Sequence, residues 1–267
     1  ATHYAAHTLE AHDAFADFHV GVERPRTLRR WFRPQVTFTI DHASPFNALP
    51  GGQGFPMLEW GMNWCISTHC HQYLMVHSAV VERGGTAMVI PAPSGSGKST
   101  LCAGLAFGGW RLLSDEMALF DPATRSLVPL VRPISLKNES IDVIKTLARD
   151  AVFSPAVHDT IKGTVAHIKP PASAVLASGH HAKAGLVVVP RYIAGSSTQR
   201  EPMDKARVLM LLAENSFNYS IHGVRGFELL ASVVDGCQGF ELQYSDLADA
   251  VATLTTLCDQ SAPSPSS

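Results

Sequence analysis

The first fifty residues are weakly patterned, and within them only Gln35–Ile40 (QVTFTI) alternates polar and apolar positions as a half-buried strand does. SPFNALPGGQGFP follows as a turn-rich connection. From Leu58 to Val76 (LEWGMNWCISTHCHQYLMV), apolar residues recur at intervals of three and four, which predicts a buried amphipathic helix. HSAVVE and AMVIPA, separated by RGG, predict a hairpin whose second strand runs into a Gly/Ser-rich turn. Ser99–Phe107 then reads as a helix stopped by Gly108-Gly109. WRLLSDE reads as a strand ending on acids, and MALFDPATRSLVPLV as a further hairpin turning at Asp121-Pro122.

Downstream, SIDVIKTLA and Met203–Asn215 read as helices, and TVAHI and GLVVVPRYI as strands. GFELQY followed by SDLADAVATLTTL predicts a strand and a closing amphipathic helix capped by Ser245 or Asp246. The pattern therefore predicts one main α/β domain over 74–257. An extension over 1–73, holding a strand and the buried helix, precedes it, and a disordered tail over 258–267 follows.

Composition narrows the function classes. With 46% hydrophobic and 16% charged residues the 267-residue chain is globular. Its net charge of −2 gives no sign of a nucleic-acid binder, and its longest apolar runs are too short to span a bilayer. The first twenty residues carry acids and histidines in place of an apolar leader core. The five cysteines (Cys65, Cys70, Cys102, Cys237 and Cys258) form no CxxC pair, which suits reduced thiols and a cytoplasmic protein.

The chemistry is concentrated in Ala92-Pro93-Ser94-Gly95-Ser96-Gly97-Lys98-Ser99-Thr100, a Walker A pattern with Ala where the first Gly is more usual. Gly95 and Gly97 let backbone N–H groups turn into one concavity, and the helix that follows adds its positive end. Lys98 can reach β- and γ-phosphates, and the Ser99 hydroxyl can ligate Mg²⁺. Asp115 and Glu116 follow Lys98 by 17 and 18 residues, enough for one short helix, a turn and one strand. A right-handed crossover predicts that this strand lies beside the phosphate-loop strand. Its terminal acids can then hold the metal or take a proton from an attacking hydroxyl.

VHSAVVERGGTAMVIPAPSGSGKST and GGWRLLSDE, at these spacings, resemble the catalytic domain of the HPr serine kinase/phosphorylase family. RPISLKNESIDVI and KGTVAHIKPP are similar to stretches of its relatives called HPr kinase-related kinase A. The resemblance covers about Trp60 to Leu257. It implies a phosphoenolpyruvate-carboxykinase-like P-loop kinase fold with a small α+β N-terminal extension. It also implies transfer of the γ-phosphoryl of Mg-ATP (or Mn-ATP) to a serine hydroxyl of a small protein or peptide, by a homo-oligomer. By position, Asp115 matches the family's catalytic base, His77 a histidine near the phosphates, and Glu116 a second acid at the metal, with Ser99. Where the family carries a metal-binding E-x-R-G-x-G signature this chain has SLKNES, leaving Glu139 or Asn138 as replacements. Lys137, Lys162, Lys169 and Arg191 are the cations available for phosphate or acceptor contacts.

Three other clusters have quieter readings. Cys65, His69, Cys70 and His71 invite a zinc site, but at helical spacing only Cys65 and His69 share a face. His3, His7 and His12 read as solvated. The Arg-rich run Glu23–Arg33 reads as a solvated basic face with Trp31 and Phe32 turned inward, the alternative being a contact for an acidic partner. A small-metabolite kinase and a non-catalytic nucleotide switch are the alternative functions; an N-K-x-D guanine motif is absent from the sequence.

Overall fold

The computed structural model describes residues 2–11, 14–25, 32–93 and 95–261. Near the N-terminus, β1 (Val20–Glu23), β2 (Gln35–Ile40) and β3 (Leu49–Pro50) form an antiparallel three-stranded sheet. Every second residue of β2 is buried, so Val36, Phe38 and Ile40 pack against α1 (Gly54–His69) through Met57 and Cys65. The helix is shorter than its periodicity predicts. It ends at Cys70, and Leu74, Met75 and Val76 are all fully buried in the strand that follows. A strand buried on both faces supplies apolar residues at every spacing, including the helical one.

The main sheet starts from the hairpin β4 (Leu74–Arg83) and β5 (Thr86–Pro91), turned by Gly84 and Gly85. After α2 (Lys98–Phe107), β6 (Arg111–Ser114) and β7 (Met117–Phe120) both pair antiparallel with β4, β6 along Val80–Glu82 and β7 along Leu74–His77. They are thus two halves of one interrupted strand lying on one edge of β4. Asp115 and Glu116 form the interruption. β8 (Leu127–Val128) continues the meander. The predicted crossover is corrected here: β6 runs in the direction of β5 but lies one strand away, because the hairpin partner β4 already occupies that flank of β5.

A small antiparallel sheet, ordered β10-β11-β9, stands against α2. It is built from β9 (Ile134–Lys137), β10 (Val157–Thr160) and β11 (Gly163–Ile168), with α3 (Ser140–Leu147) between its first two strands. The chain then passes through α4 (Ala172–Leu176) into β12 (Lys183–Tyr192), which pairs parallel with the other flank of β5. β13 (Gln199–Met203), α5 (Lys205–Glu214), α6 (Tyr219–His222), α7 (Val224–Asp235), β14 (Gln238–Tyr244) and α8 (Leu247–Ser261) complete the chain. β14 is parallel to β12, and β13 closes that edge antiparallel. The architecture is a mixed α/β fold around an eight-stranded mixed sheet.

Alternate residues of β5 feed the two faces of the main sheet. Met88 and Ile90 join the core beneath α2, α3 and α8, while Ala87 and Val89 join the core beneath α5 and α7. β13 is unread in the pattern because QREPM is polar and contains Pro202, as an exposed edge strand tolerates. Asp204 then caps α5 by accepting from the Arg207 N–H at 2.7 Å, so that helix starts later than Met203. Asp246 caps α8 in the same way, accepting from the Asp249 N–H at 2.8 Å. α8 runs past the predicted domain end through Ser261 and buries Cys258; residues 262–267 lie outside the described residues.

His3 and His7 are half-buried where the sequence predicts them solvated. The His3 and His7 rings reach the carbonyls of His167 and Val131, at 3.2 and 2.9 Å, while His12 lies outside the described residues. Residues 26–31 of the Arg-rich run also lie outside them, and Phe32 is exposed where the sequence predicts it inward.

Close approach of α1 to β2 depends on Gly61, where an added Cβ would lie 2.3 Å from the fully buried Phe38 ring. Gly61→Ala is expected to lower stability by about 1–3 kcal/mol through overpacking. Gly52→Ala, which meets only open space, is expected to shift it by less than about 0.5 kcal/mol. Urea midpoints of the two variants check this, and equal midpoints would show that α1 does not pack on β2 as described.

Candidate active site

β5 delivers the chain at Pro91 to a loop in which Ala92 is buried, Pro93 is exposed, and Gly95 and Gly97 both have positive φ (+89° and +91°). Ser94 lies outside the described residues. Gly97 is the residue on which α2 begins, and a Cβ there would meet the Tyr244 hydroxyl at 2.7 Å, so both its backbone angle and its surroundings require glycine. The first N–H groups of α2, from Lys98, Ser99 and Thr100, have no carbonyl one turn back to bond within the helix. They carry the positive end of its dipole toward the loop. The Ser96 hydroxyl beside them is buried without a hydrogen-bond partner.

Lys98 is 7% exposed, and its Nζ lies 2.7 Å from His77 Nε2. That same imidazole nitrogen lies 3.3 Å from Glu116 Oε2. A single nitrogen cannot serve both partners at once: Nε2 accepts from the Lys98 ammonium when it carries no hydrogen and donates to Glu116 when it carries one. Burial lowers the Lys98 ammonium below the usual lysine range, against the pull of Glu116 and Asp115. For Glu116, burial works upward, but the hydrogen bond from His77 and the charges of Lys98 and Lys162 outweigh it and hold the carboxyl at about 2.

Asp115 has the opposite character. It is 6% exposed, and its Oδ2 accepts from the Ser135 backbone N–H at 2.9 Å, while Oδ1 is buried without a partner. Burial first, and then the neighbouring Glu116 charge, push it up to about 7, although the Ser135 N–H, Lys98 and Ser99 pull the other way. Two adjacent carboxylates are thereby driven apart, one ionised and one near neutrality, as acid and base partners in catalytic sites are. The interruption between β6 and β7 is what turns them there. The Ser114 hydroxyl accepts from the Met117 N–H at 3.1 Å, and the Ser78 N–H donates to the Glu116 carbonyl at 3.2 Å, so the ladder on β4 resumes at once.

The structure thus brings Lys98, Ser99, His77, Asp115 and Glu116 together, with Lys137 and Lys162 close enough to act on the same charges. Other candidates are not brought to this group. Asn138 has positive φ (+49°), and its Oδ1 accepts from the Thr164 N–H, which joins β9 to the β10–β11 hairpin. Glu139 is exposed at the start of α3, with its carboxylate in no ion pair among the described residues. Arg191 lines a small cavity with Gln199, Glu201, Glu241 and Gln243. Its neighbour Tyr192 packs beside Gly97 instead, since side chains along β12 alternate between faces.

Among the described residues no three His, Cys, Asp or Glu side chains converge on a metal position. In the Cys65–His71 cluster, the His69 ring bonds the Cys65 carbonyl at 3.0 Å, a contact within one helix. An ion held by one carboxylate and one hydroxyl, with substrate phosphates and water completing its shell, needs no such cluster and suits Mg²⁺. The partnerless Asp115 Oδ1 and the free first turn of α2 fit such a Mg-nucleotide.

Several participants escaped the sequence. Ser135 contributes only a backbone N–H, which no side-chain pattern marks. Tyr192 and Tyr244, edge to face at 5.9 Å, floor Gly97 from strands about a hundred and about 150 residues farther along the chain. The polar run Asn215-Ser216-Phe217-Asn218 after α5 is the one signal present: the Asn215 carbonyl accepts from the His77 N–H at 2.8 Å, and the Phe217 ring lies 5.8 Å from the His77 ring.

No family model matches the chain, and neither does any curated protein. Among solved structures it is similar to the HPr(Ser) kinase/phosphatase from Coxiella burnetii, at 10% identity and a TM-score of 0.32, over 70% of this chain and 98% of that one. So loose a likeness leaves the chemistry to be read from the site itself. No helix among the described residues is long and apolar enough to cross a membrane.

A buried carboxylate raised to about 7 costs stability wherever it is ionised. The cost is absent below the unfolded-state value of about 3.9, grows as pH rises toward 7, and is complete above it. Asp115→Asn keeps an oxygen for the Ser135 N–H and removes the charge. It is expected to stabilise the ligand-free protein, by more at pH 8 than at pH 5, with a difference exceeding about 1.4 kcal/mol, the equivalent of one pKa unit. Urea unfolding at the two pH values checks the sign, and a gain that is the same at both would show that Asp115 does not titrate between them.

Proposed function

We propose that this protein is an ATP-dependent kinase that transfers a γ-phosphoryl group to a serine hydroxyl of a small protein or peptide acceptor. The observation that carries the reading is the meeting of Lys98, at the free N-terminus of α2, with a buried carboxylate poised near neutrality and its ionised neighbour. Lys98 and the N–H groups of the loop bind the phosphate chain of ATP and orient it. Ser99 and Glu116 would hold Mg²⁺, which when bound supplies charge neutralisation at the phosphoryl oxygens. Asp115, through its free Oδ1, accepts the proton of the attacking hydroxyl as the new O–P bond forms. The bond from the γ-phosphorus to the bridging oxygen breaks, and ADP leaves with the electron pair. A carboxyl raised to about 7 is well matched to this task, being about half ionised at neutral pH and basic enough to take the proton.

His77 sits between Lys98 and Glu116 and keeps each in reach of a partner before nucleotide arrives. When phosphates claim the Lys98 ammonium, His77 Nε2 is released to donate to Glu116.

Lys98→Ala is expected to weaken Mg-ATP binding at least tenfold, or about 1.4 kcal/mol. Asp115→Asn is expected to bind Mg-ATP normally and to transfer phosphate at least a hundredfold more slowly, the lower bound for general-base assistance. Radiolabelled ATP, incubated with the protein and a soluble extract of its source, should label one discrete small protein with acid-stable phosphoserine. Both variants should lose that label. Unchanged ATP affinity in a folded Lys98→Ala variant, or full transfer by Asp115→Asn, would overturn the assignment.

A further inference from the structure

Lys162 is an exposed lysine at the tip of a hairpin, a place where such a side chain ordinarily moves freely in water. Here the tip is fixed from several sides. The Thr160 hydroxyl accepts from the Lys162 N–H at 3.0 Å and donates to the Gly163 carbonyl at 2.7 Å. Gly163 has φ of +82°, and a Cβ on it would meet Asn138 Oδ1 at 2.5 Å. From the N-terminal extension, the buried Gln53 side chain donates to the Asp159 carbonyl at 3.2 Å. The Lys162 ammonium itself stands 5.3 Å from the centroid of the Trp60 ring on α1.

The residue before Trp60 grips the same small sheet at its opposite end. Glu59, almost fully buried, pairs with Arg132 at 3.2 Å and accepts from the Tyr4 hydroxyl at 2.6 Å. Arg132 lies three residues before Ser135, whose N–H holds Asp115. Two consecutive residues of α1 therefore fix both flanks of the sheet that faces the carboxylates. Ordering a lysine costs rotamer entropy, and a solvated lysine gains little from it. A cation seated this way serves when it must meet an anion at a set position. Lys162 and Lys137 repel each other here, and Lys162 is drawn by Glu116 and Asp115. Three ammonium groups, of Lys98, Lys137 and Lys162, thus act on this space against two carboxylates, an excess of positive charge that a negatively charged ligand would neutralise.

We propose that Trp60 is a positioning residue that seats Lys162 to contact the γ-phosphate of ATP, making the N-terminal extension part of the active site. The inference rests on the kinase reading and assigns to it a distinction: Lys162 recognises the third phosphate, whereas Lys98 and its loop hold the whole chain. The indole offers a π face to the ammonium, an attraction that Phe retains in part and Leu lacks.

Calorimetric titrations with Mg-ATP and Mg-ADP separate the roles. Lys162→Met is expected to weaken Mg-ATP by about tenfold, as loss of a charge-assisted contact does, and to leave Mg-ADP unchanged. Trp60→Leu should weaken Mg-ATP about threefold or more with Mg-ADP unchanged, and Trp60→Phe should recover most of the loss. In the double variant Trp60→Leu/Lys162→Met the losses should not add, because both remove one interaction. Additive losses, equal weakening of ATP and ADP by Trp60→Leu, or unaltered Mg-ATP affinity in Lys162→Met would each overturn the proposal. Lys98→Ala, run alongside, keeps the two readings apart. If it alone abolishes ATP binding, the kinase reading stands and only the role of Trp60 and Lys162 falls. If it too leaves binding intact, the site itself has been misread.

Discussion

Two acids in the middle of a strand organise this molecule. β6 and β7 hydrogen-bond to one edge of β4, and between the two strands the ladder is interrupted at Asp115 and Glu116, close to a register shift at Leu113. Because the break is internal, pairing on both sides clamps it, holding Asp115 buried and Glu116 only partly open to water. Everything nearby answers this constraint. Ser135 lends Asp115 an N–H that the small sheet leaves unpaired on that side, Lys98 and His77 face Glu116, and the residues of α1 brace the sheet to which Ser135 belongs. A terminal pair of acids, as the pattern of the chain predicts, would be looser and closer in character to two ordinary surface carboxylates.

The division of labour between the acids follows from burial and from distance to cations. They share a backbone environment, yet one is raised and the other depressed, since at Glu116 the pull of His77 and two lysines outweighs burial, while at Asp115 burial and the Glu116 charge outweigh the Ser135 amide, Lys98 and Ser99. The same low-dielectric surroundings that make Asp115 costly to ionise make it a stronger base once ionised. The site thus carries its instability in one side chain, and the surrounding β-ladder and helix packing offset it.

Local chemistry was legible in the sequence where it depended on residues close together in the chain. The β4–β5 hairpin, the Gly-rich turn after it and the nearness of Lys98 to the acids are all short-range, although the strand ahead of the acids lies one place farther from β5 than the spacing predicts. Arg191 and Asn138 show the limit: a cation and an amide of suitable type, separated from the site by strand alternation or spent on holding a hairpin. The helix end at His69 was hidden because a fully buried strand carries no period of its own. Trp60 and Lys162 lie about a hundred residues apart, and their meeting depends on how one sheet leans on one helix, which no window along the chain contains.

The order of strands also bears on how the chain is made. β5, which leads into the Gly-rich turn, has its first partner β4 beside it in sequence, but its second, β12, pairs Lys183 with Thr86. On a ribosome, roughly a hundred residues must still emerge after β5 before its open edge can be covered. During that interval Met88, Val89 and Ile90, all fully buried in the finished protein, form part of an exposed β-edge. The strand that leads into the proposed nucleotide site is therefore one that needs shielding at birth, and early synthesis of the Gly-rich turn, which resists strand extension at positive φ, limits how far a stray strand can zip along it.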